Sequence, residues 1–281
     1  MSERNPSRRL IIVTDLDGSL LHPRTYSFEE ARPALELIRQ REIPLVICSS
    51  KTRAEIEVYR KRLGNAHPFI SENGGGIFIP GGYFPFHVSG DQQDGYELIS
   101  LGSSYEEIRK RFAALRKRLG TAVRGFGDMS VEEVAALTGL TLEESGLAKQ
   151  RDFGEPFIFP GKAEDRFLRE IEGEGLSWTQ GKFFHLMGDH HKGRAANILR
   201  RLYEQRDGAV TSVGIGDSLN DLPLLLSVDV PVLVKKENNR HDARIDIPGL
   251  VRTKGVGPAG WSEAVLELLA AGSAAYEINQ K

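Results

Sequence analysis

The chain has 281 residues, is 40% hydrophobic and carries a formal charge of −2. That supports one large or two modest cores, and the near-neutral balance without charge blocks argues against a nucleic-acid or membrane-surface partner. One cysteine, Cys48, rules out an intramolecular disulfide and fits a reducing cytosol. The polar start "MSERNPSRR" has no signal-peptide pattern, and the apolar run after it breaks at Asp15, too soon for a membrane span. A cytoplasmic protein is the expectation, and the sequence is silent on oligomeric state.

In chain order, "RLIIVTD" reads as a buried strand and residues 31–42 as a helix. Ser27-x-x-Glu30 resembles a capping box, but a helix from there would hold Pro33 in its interior, so the start is set near Ala31. "IPLVICSS" is a second strand, residues 52–63 a second helix, and "PFIS" a third strand. Fully apolar strands alternating with helices predict a doubly wound parallel sheet, Rossmann-like, covered on both faces. Glycines and aromatics in "ENGGGIFIPGGYFPF" point to a hairpin.

From about residue 88 to 187 the order changes. A strand at 96–101 precedes a helix at 104–119 with Ser103-x-x-Glu106 as its cap. A short strand "AVRGF", helices from Ser130 and near 141–149, the strand "PFIFP", a helix at 163–173 and strands at 176–179 and 182–187 come next. This reads as an α+β layer of mostly antiparallel character. Past residue 190 the first pattern returns with a helix at 191–206, the strand "AVTSVGIGD", a helix at 220–227, the strand "VPVLVK" and a helix at 259–271. An inserted domain explains this order, giving a core of residues 1–87 and 188–281 and an insert of 88–187.

Ligands of open α/β sheets gather at the carboxyl ends of strands. Four polar groups are expected there: Asp15-Leu16-Asp17-Gly18, Ser49-Ser50-Lys51, Lys192, and Gly216-Asp217-Ser218-Leu219-Asn220-Asp221. Singly, each is ordinary turn or cap chemistry. Together they supply what phosphoryl transfer to a carboxylate needs. An aspartate approaching a phosphate dianion meets about 4 kcal/mol of repulsion per charge pair at about 4 Å and an effective dielectric near ~20. A divalent cation and an ammonium group reverse that sign. Asp15 and Asp217 offer hard oxygen ligands suited to Mg²⁺, Lys192 neutralises phosphoryl charge, and Ser49 donates a hydrogen bond. Asp15 can form an aspartyl-phosphate, while Asp17 moves the protons. Gly18 permits a turn tight enough to hold both carboxylates near one phosphorus.

These motifs resemble the haloacid dehalogenase superfamily of aspartate-nucleophile phosphotransferases, and the insert resembles its sugar-phosphatase-type α/β cap. "CSSKTRAEIE", "ISENGGGIFIP", "RGFGDMSVEEVAALTGLT", "LAKQRDFGEPF" and "TKGVGPAGW" are similar to the mannosyl-3-phosphoglycerate phosphatase family, over about residues 10–270. The resemblance implies a Mg²⁺ phosphatase acting on a small phosphosugar, with mannosylglycerate, a compatible solute, as product. It implies Asp15 as nucleophile and Asp17 as acid/base. The metal would be held by Asp15, the Asp17 backbone carbonyl and Asp217, with Asp221 and Asn220 ordering its water or Lys192. The chain departs from the family's pattern at Asp152 and Gly154. Substrate contacts are expected from Ser49, Lys51 and Lys192, from Arg151 on a carboxylate, and from Glu155, His185 and the Glu72-Asn73-Gly74 turn on sugar hydroxyls. The adjacent His190 and His191 read as solvated linker, Gly74-Gly75-Gly76 as a turn before a phosphate cradle, and Trp261 as packing.

Overall fold

The computed structural model describes residues 9–278, with side chains described to residue 271. Most of the polar amino-terminal stretch lies outside the described residues. The first half contains β1 (Arg9–Thr14), α1 (Arg32–Gln40), β2 (Leu45–Cys48), α2 (Arg53–Leu63), β3 (Phe69–Ser71), β4 (Gly76–Pro80), β5 (Asp91–Gln93), β6 (Tyr96–Ser100) and α3 (Tyr105–Leu119). Next come β7 (Arg124–Gly125), α4 (Val131–Thr138), α5 (Leu142–Ala148), β8 (Gly154–Ile158), α6 (Asp165–Gly173), β9 (Ser177–Gln180) and β10 (Phe184–Met187). Helix α7 (Lys192–Asp207), β11 (Val210–Gly216), α8 (Leu222–Leu225), β12 (Val230–Lys235), β13 (Val251–Val256) and α9 (Gly257–Ile278) complete the chain. None of the helices among the described residues is long and apolar enough to cross a membrane.

Two compact units form, residues 1–46 with 200–281, and residues 47–199. In the first, β13, β12, β11 and β1 are neighbours in that order, all parallel. The buried run Ile11-Ile12-Val13-Thr14 is what a strand covered on both faces requires. Helix α9 packs on α1, β12 and β13, and α8 on β11 and β12. Pro33 occupies the first turn of α1, where its missing N–H costs nothing. Strand β13 escaped the sequence reading because Arg252 and Lys254 alternate with its inward residues.

In the second unit β2 pairs β3 in parallel, and β3, β4, β6 and β5 continue antiparallel. A separate antiparallel sheet runs β7-β8-β10-β9. Its covered face joins Phe157 and Leu186 to Ile108, Phe112 and Leu115 of α3 and Phe167, Leu168 and Ile171 of α6. Helix starts are locally encoded. Thr52, Ser130 and Thr141 cap α2, α4 and α5, each in a reciprocal box with the glutamate three residues on. Helix α3 is capped by Ser104, which takes the Glu107 N–H, one residue later than the Ser103 expected.

Candidate active site

Thr14 and Ile215 are register partners at the ends of β1 and β11, and the Asp15 N–H donates to the Ile215 carbonyl at 2.9 Å. The parallel pair therefore delivers Asp15 and Asp217 together. One carboxylate oxygen each from Asp15, Asp217 and Asp221 lies within 4.8 Å of the others, and all three residues are buried. Three such carboxylates repel unless a cation joins them, and an all-oxygen donor set suits a hard divalent ion such as Mg²⁺. Asp17 does not belong to this trio; it sits half-buried beside the Gly18 turn, which closes through Gly18 N–H to the Leu21 carbonyl at 2.9 Å. Asn220 is half-buried in the 3-10 turn Leu219–Asp221.

The turn after β11 is fixed by Asp221, whose Oδ2 accepts the N–H groups of Asp217 at 3.0 Å and Ser218 at 3.1 Å. Ser218 Oγ donates to Asp217 Oδ1 at 2.8 Å. Gly18 has φ +80°, and a Cβ there would stand 2.8 Å from Asp217 Oδ2. It is glycine for conformation and for approach at once. Trp261, read as packing, is fully buried and also donates through Nε1 to Thr14 Oγ1 at 2.9 Å. Thr14 Oγ1 in turn donates to the Asp15 carbonyl at 2.8 Å. The sequence carried no signal for this relay, because Trp261 and Thr14 are 247 positions apart.

In the second unit, Ser49 is buried and its Oγ accepts the Lys51 N–H at 3.2 Å. Lys51 is buried too, its Nζ 3.4 Å from Glu55 Oε1. Lys192 opens α7 and is fully buried. The turn Glu72-Asn73-Gly74 is buried throughout. Arg151 donates through Nε to Glu72 Oε2 at 3.0 Å and to the Gly154 carbonyl at 3.1 Å. Its carboxylate partner in the structure is thus internal. Burial pushes the Glu72 carboxyl up, against the pull of Arg151 and of the Asp152 and Phe153 N–H groups.

Two expectations need correcting. Strand β8 begins at Gly154, two residues before the expected start, so Glu155 shares a face with Phe157 and points under α3. There it accepts from Tyr105 OH at 2.7 Å, Arg109 NH1 at 2.8 Å and the Gly127 N–H at 2.8 Å. These three bonds tie it within the cap. His190 is not solvated linker either. It is buried, its Nε2 lies 3.2 Å from the Glu72 carbonyl, and a Cβ on Gly102 would touch its ring at 2.9 Å. His185 pairs with Pro156 across β10 and β8, on the face opposite Leu186. Burial first, then the charges of Arg151 and Lys192, hold its pKa down to about 3, so the ring is neutral.

Residues 12–100 match the family model of haloacid dehalogenase-like hydrolases. A relative from Methanococcoides burtonii, curated as a glucosyl-3-phosphoglycerate/mannosyl-3-phosphoglycerate phosphatase, is 43% identical over 92% of this chain and 97% of its own. A mannosyl-3-phosphoglycerate phosphatase from Pyrococcus horikoshii is 38% identical over 80% of this chain and 90% of its own. Among solved structures, a phosphatase of the same superfamily from Bacteroides thetaiotaomicron superposes with a TM-score of 0.64 at 16% identity, covering 95% of this chain and 97% of that one. The fold is the Rossmann-like α/β fold of that superfamily with an inserted cap. By these likenesses the chain belongs to the haloacid dehalogenase-like hydrolase family and is a phosphoric monoester hydrolase within it.

Proposed function

We propose that this enzyme is a Mg²⁺-dependent phosphatase that hydrolyses mannosyl-3-phosphoglycerate to mannosylglycerate and inorganic phosphate. The observation that carries the substrate is the 43% identity, cap included, to a relative curated for the glucosyl and mannosyl esters. That relative's name also favours glucosyl-3-phosphoglycerate as a second substrate.

Asp15, Asp217 and Asp221 fit a divalent ion, as hard donors within 4.8 Å of one another. When bound, Mg²⁺ would offset the charge of the phosphoryl dianion. An Asp15 carboxylate oxygen attacks phosphorus and forms an acyl phosphate as the bond to the glycerate oxygen breaks. Asp17 gives that oxygen its proton, then takes one from the water that frees inorganic phosphate and restores Asp15. Ser49 and Lys192 take phosphoryl oxygens. His185, neutral on the cap sheet, can accept from or donate to a sugar hydroxyl without adding charge.

The test incubates the protein and Mg²⁺ with a panel of sugar phosphates and measures free phosphate. Preference for simple hexose phosphates with the glycosyl phosphoglycerates ignored would sink the substrate. An isomeric sugar phosphate in place of free phosphate would mean a mutase. Asp15→Asn should abolish turnover with the fold retained, and near-normal activity in that variant would refute the acyl-phosphate route.

A further inference from the structure

Three consecutive residues of the turn after β3 have left-handed backbone: Glu72 at φ +47°, Asn73 at +58° and Gly74 at +102°. Only the last is glycine. Left-handed conformation is unfavourable for glutamate, and it persists only where surrounding bonds over-determine it. They do so here from three directions. The Glu72 N–H donates to the Lys51 carbonyl at 3.0 Å and the Asn73 N–H to the Ser49 carbonyl at 2.9 Å. The Glu72 carbonyl faces His190 Nε2 at 3.2 Å. A Cβ on Gly74 would stand 2.5 Å from the His191 carbonyl oxygen and 2.9 Å from the Lys192 nitrogen.

The Glu72 carboxylate binds the third segment. It accepts from Arg151 Nε at 3.0 Å, from the Asp152 N–H at 2.7 Å and from the Phe153 N–H at 3.1 Å. Arg151 adds a bond from NH2 to the Ser50 carbonyl at 3.1 Å. Three donors on two buried oxygens leave this carboxylate poorly placed to meet a sugar hydroxyl. The carboxylate instead ties down the Arg151–Phe153 segment of the cap, while the backbone of the turn is bonded to the Lys51 and Ser49 carbonyls and lies close against His191 and Lys192.

We infer that Glu72 is a positioning residue: its carboxylate sets the Arg151–Phe153 segment for substrate, and its turn holds the backbones of Ser49 and Lys192. The inference rests on the phosphatase reading for the roles of Ser49 and Lys192. Glu72→Gln keeps the shape but places an NH2 donor where Arg151 and two N–H groups already donate. Loosening the cap segment weakens substrate binding more than it slows the chemical step, so KM should rise about tenfold with kcat changing less than about threefold.

The experiment measures kcat and KM of native protein, Glu72→Gln, Arg151→Lys and the double variant, with thermal melting on each. Arg151→Lys keeps the charge but loses the Nε and NH2 bonds, and should give the same rise in KM. The double variant should be less than additive, because both substitutions break the Glu72–Arg151 bond. Glu72→Gln that melts earlier yet keeps native kcat and KM would overturn the inference, leaving a structural ion pair. So would additive effects in the double variant. If Glu72→Gln does not fold, an unchanged KM in Arg151→Lys overturns it and a raised KM supports it. Should the native protein ignore glycosyl phosphoglycerates, the substrate reading fails by itself. The same comparison then runs on the sugar phosphate it does hydrolyse.

Discussion

The two buried histidines of the second unit should make its stability fall on mild acidification. Burial, with the charges of Arg151 and Lys192, holds His185 down to about 3. Burial likewise holds His190 at about 4, although its contact with the Glu72 carbonyl works the other way. An unfolded chain protonates both near the ordinary value of 6.5. Below that value the unfolded state binds more protons, so each neutral ring's contribution is whole above pH ~6.5 and shrinks as pH falls toward its folded value. Between pH ~6.5 and ~4.5 each withdraws on the order of 2–3 kcal/mol, a large part of a typical domain's ~5–15 kcal/mol. The carboxyls of Glu72 and Glu155, pushed up by burial, take protons early in the fold and oppose this loss. Variants isolate the histidine share. His185→Leu keeps the site apolar, and in His190→Gln the amide nitrogen can replace Nε2. The chain's two tryptophans fall one in each unit, Trp178 in the second and Trp261 in the first. In a Trp261→Phe background, urea unfolding read by fluorescence therefore tracks the second unit. Each histidine variant should lose about 2–3 kcal/mol less than its parent on going from pH ~7 to ~4.5. Parallel pH dependence in parent and variants would refute the reasoning.

Gly18→Ala combines left-handed strain of about 1–2 kcal/mol with a methyl pressed on Asp217 Oδ2. Its half-saturating Mg²⁺ in phosphate release should rise about tenfold or more, as when a supporting group around a metal is disturbed. Trp261→Phe removes the donor to Thr14 Oγ1 and should cost about 1–2 kcal/mol in urea unfolding, with kcat falling more than KM changes. Asp128 accepts from both Arg109 and Arg116. Burial pushes it up, but those guanidinium bonds and the Gly125 N–H outweigh burial and hold it at about 2. Its contribution is present above pH ~3.8 and lost as pH falls toward ~2. Asp128→Asn should lower cap stability by about 2 kcal/mol at neutral pH and flatten that acid limb, as read by Trp178 emission.

The parallel strands and the meeting of Asp15 with Asp217 were legible because their information is local. An apolar run ends, a carboxylate comes next, and the strand register does the rest, as Asp15 beside Ile215 illustrates. The helix starts at Thr52, Ser130 and Thr141 were legible from a hydroxyl and a glutamate three apart, though Ser27-x-x-Glu30 caps no helix and the neighbouring serines at 103 and 104 allowed a slip of one. What stayed hidden was how the cap's charges are used. The bonds of Glu155 to α3 were missed because its strand was started two residues late, and strand parity decides which face a side chain takes. His190 looked solvated because its cover, Gly102 and Glu72, comes from about a hundred residues upstream.

Arg151 shows how a phrase shared across a family can mislead about specificity. Its residue type is right for a carboxylate, and the structure supplies one, 79 positions away in Glu72. A buried guanidinium without a counter-charge is costly, so a chain that buries one must bury its partner as well. Sequence phrases shared across a family therefore mix residues that meet substrate with residues that hold those in place. Glu72 with Arg151, and Glu155 with Arg109 and Tyr105, are neutralised within the protein. The trio Asp15, Asp217 and Asp221 brings three carboxylates to one buried point. An all-oxygen set of that kind suits a hard divalent cation.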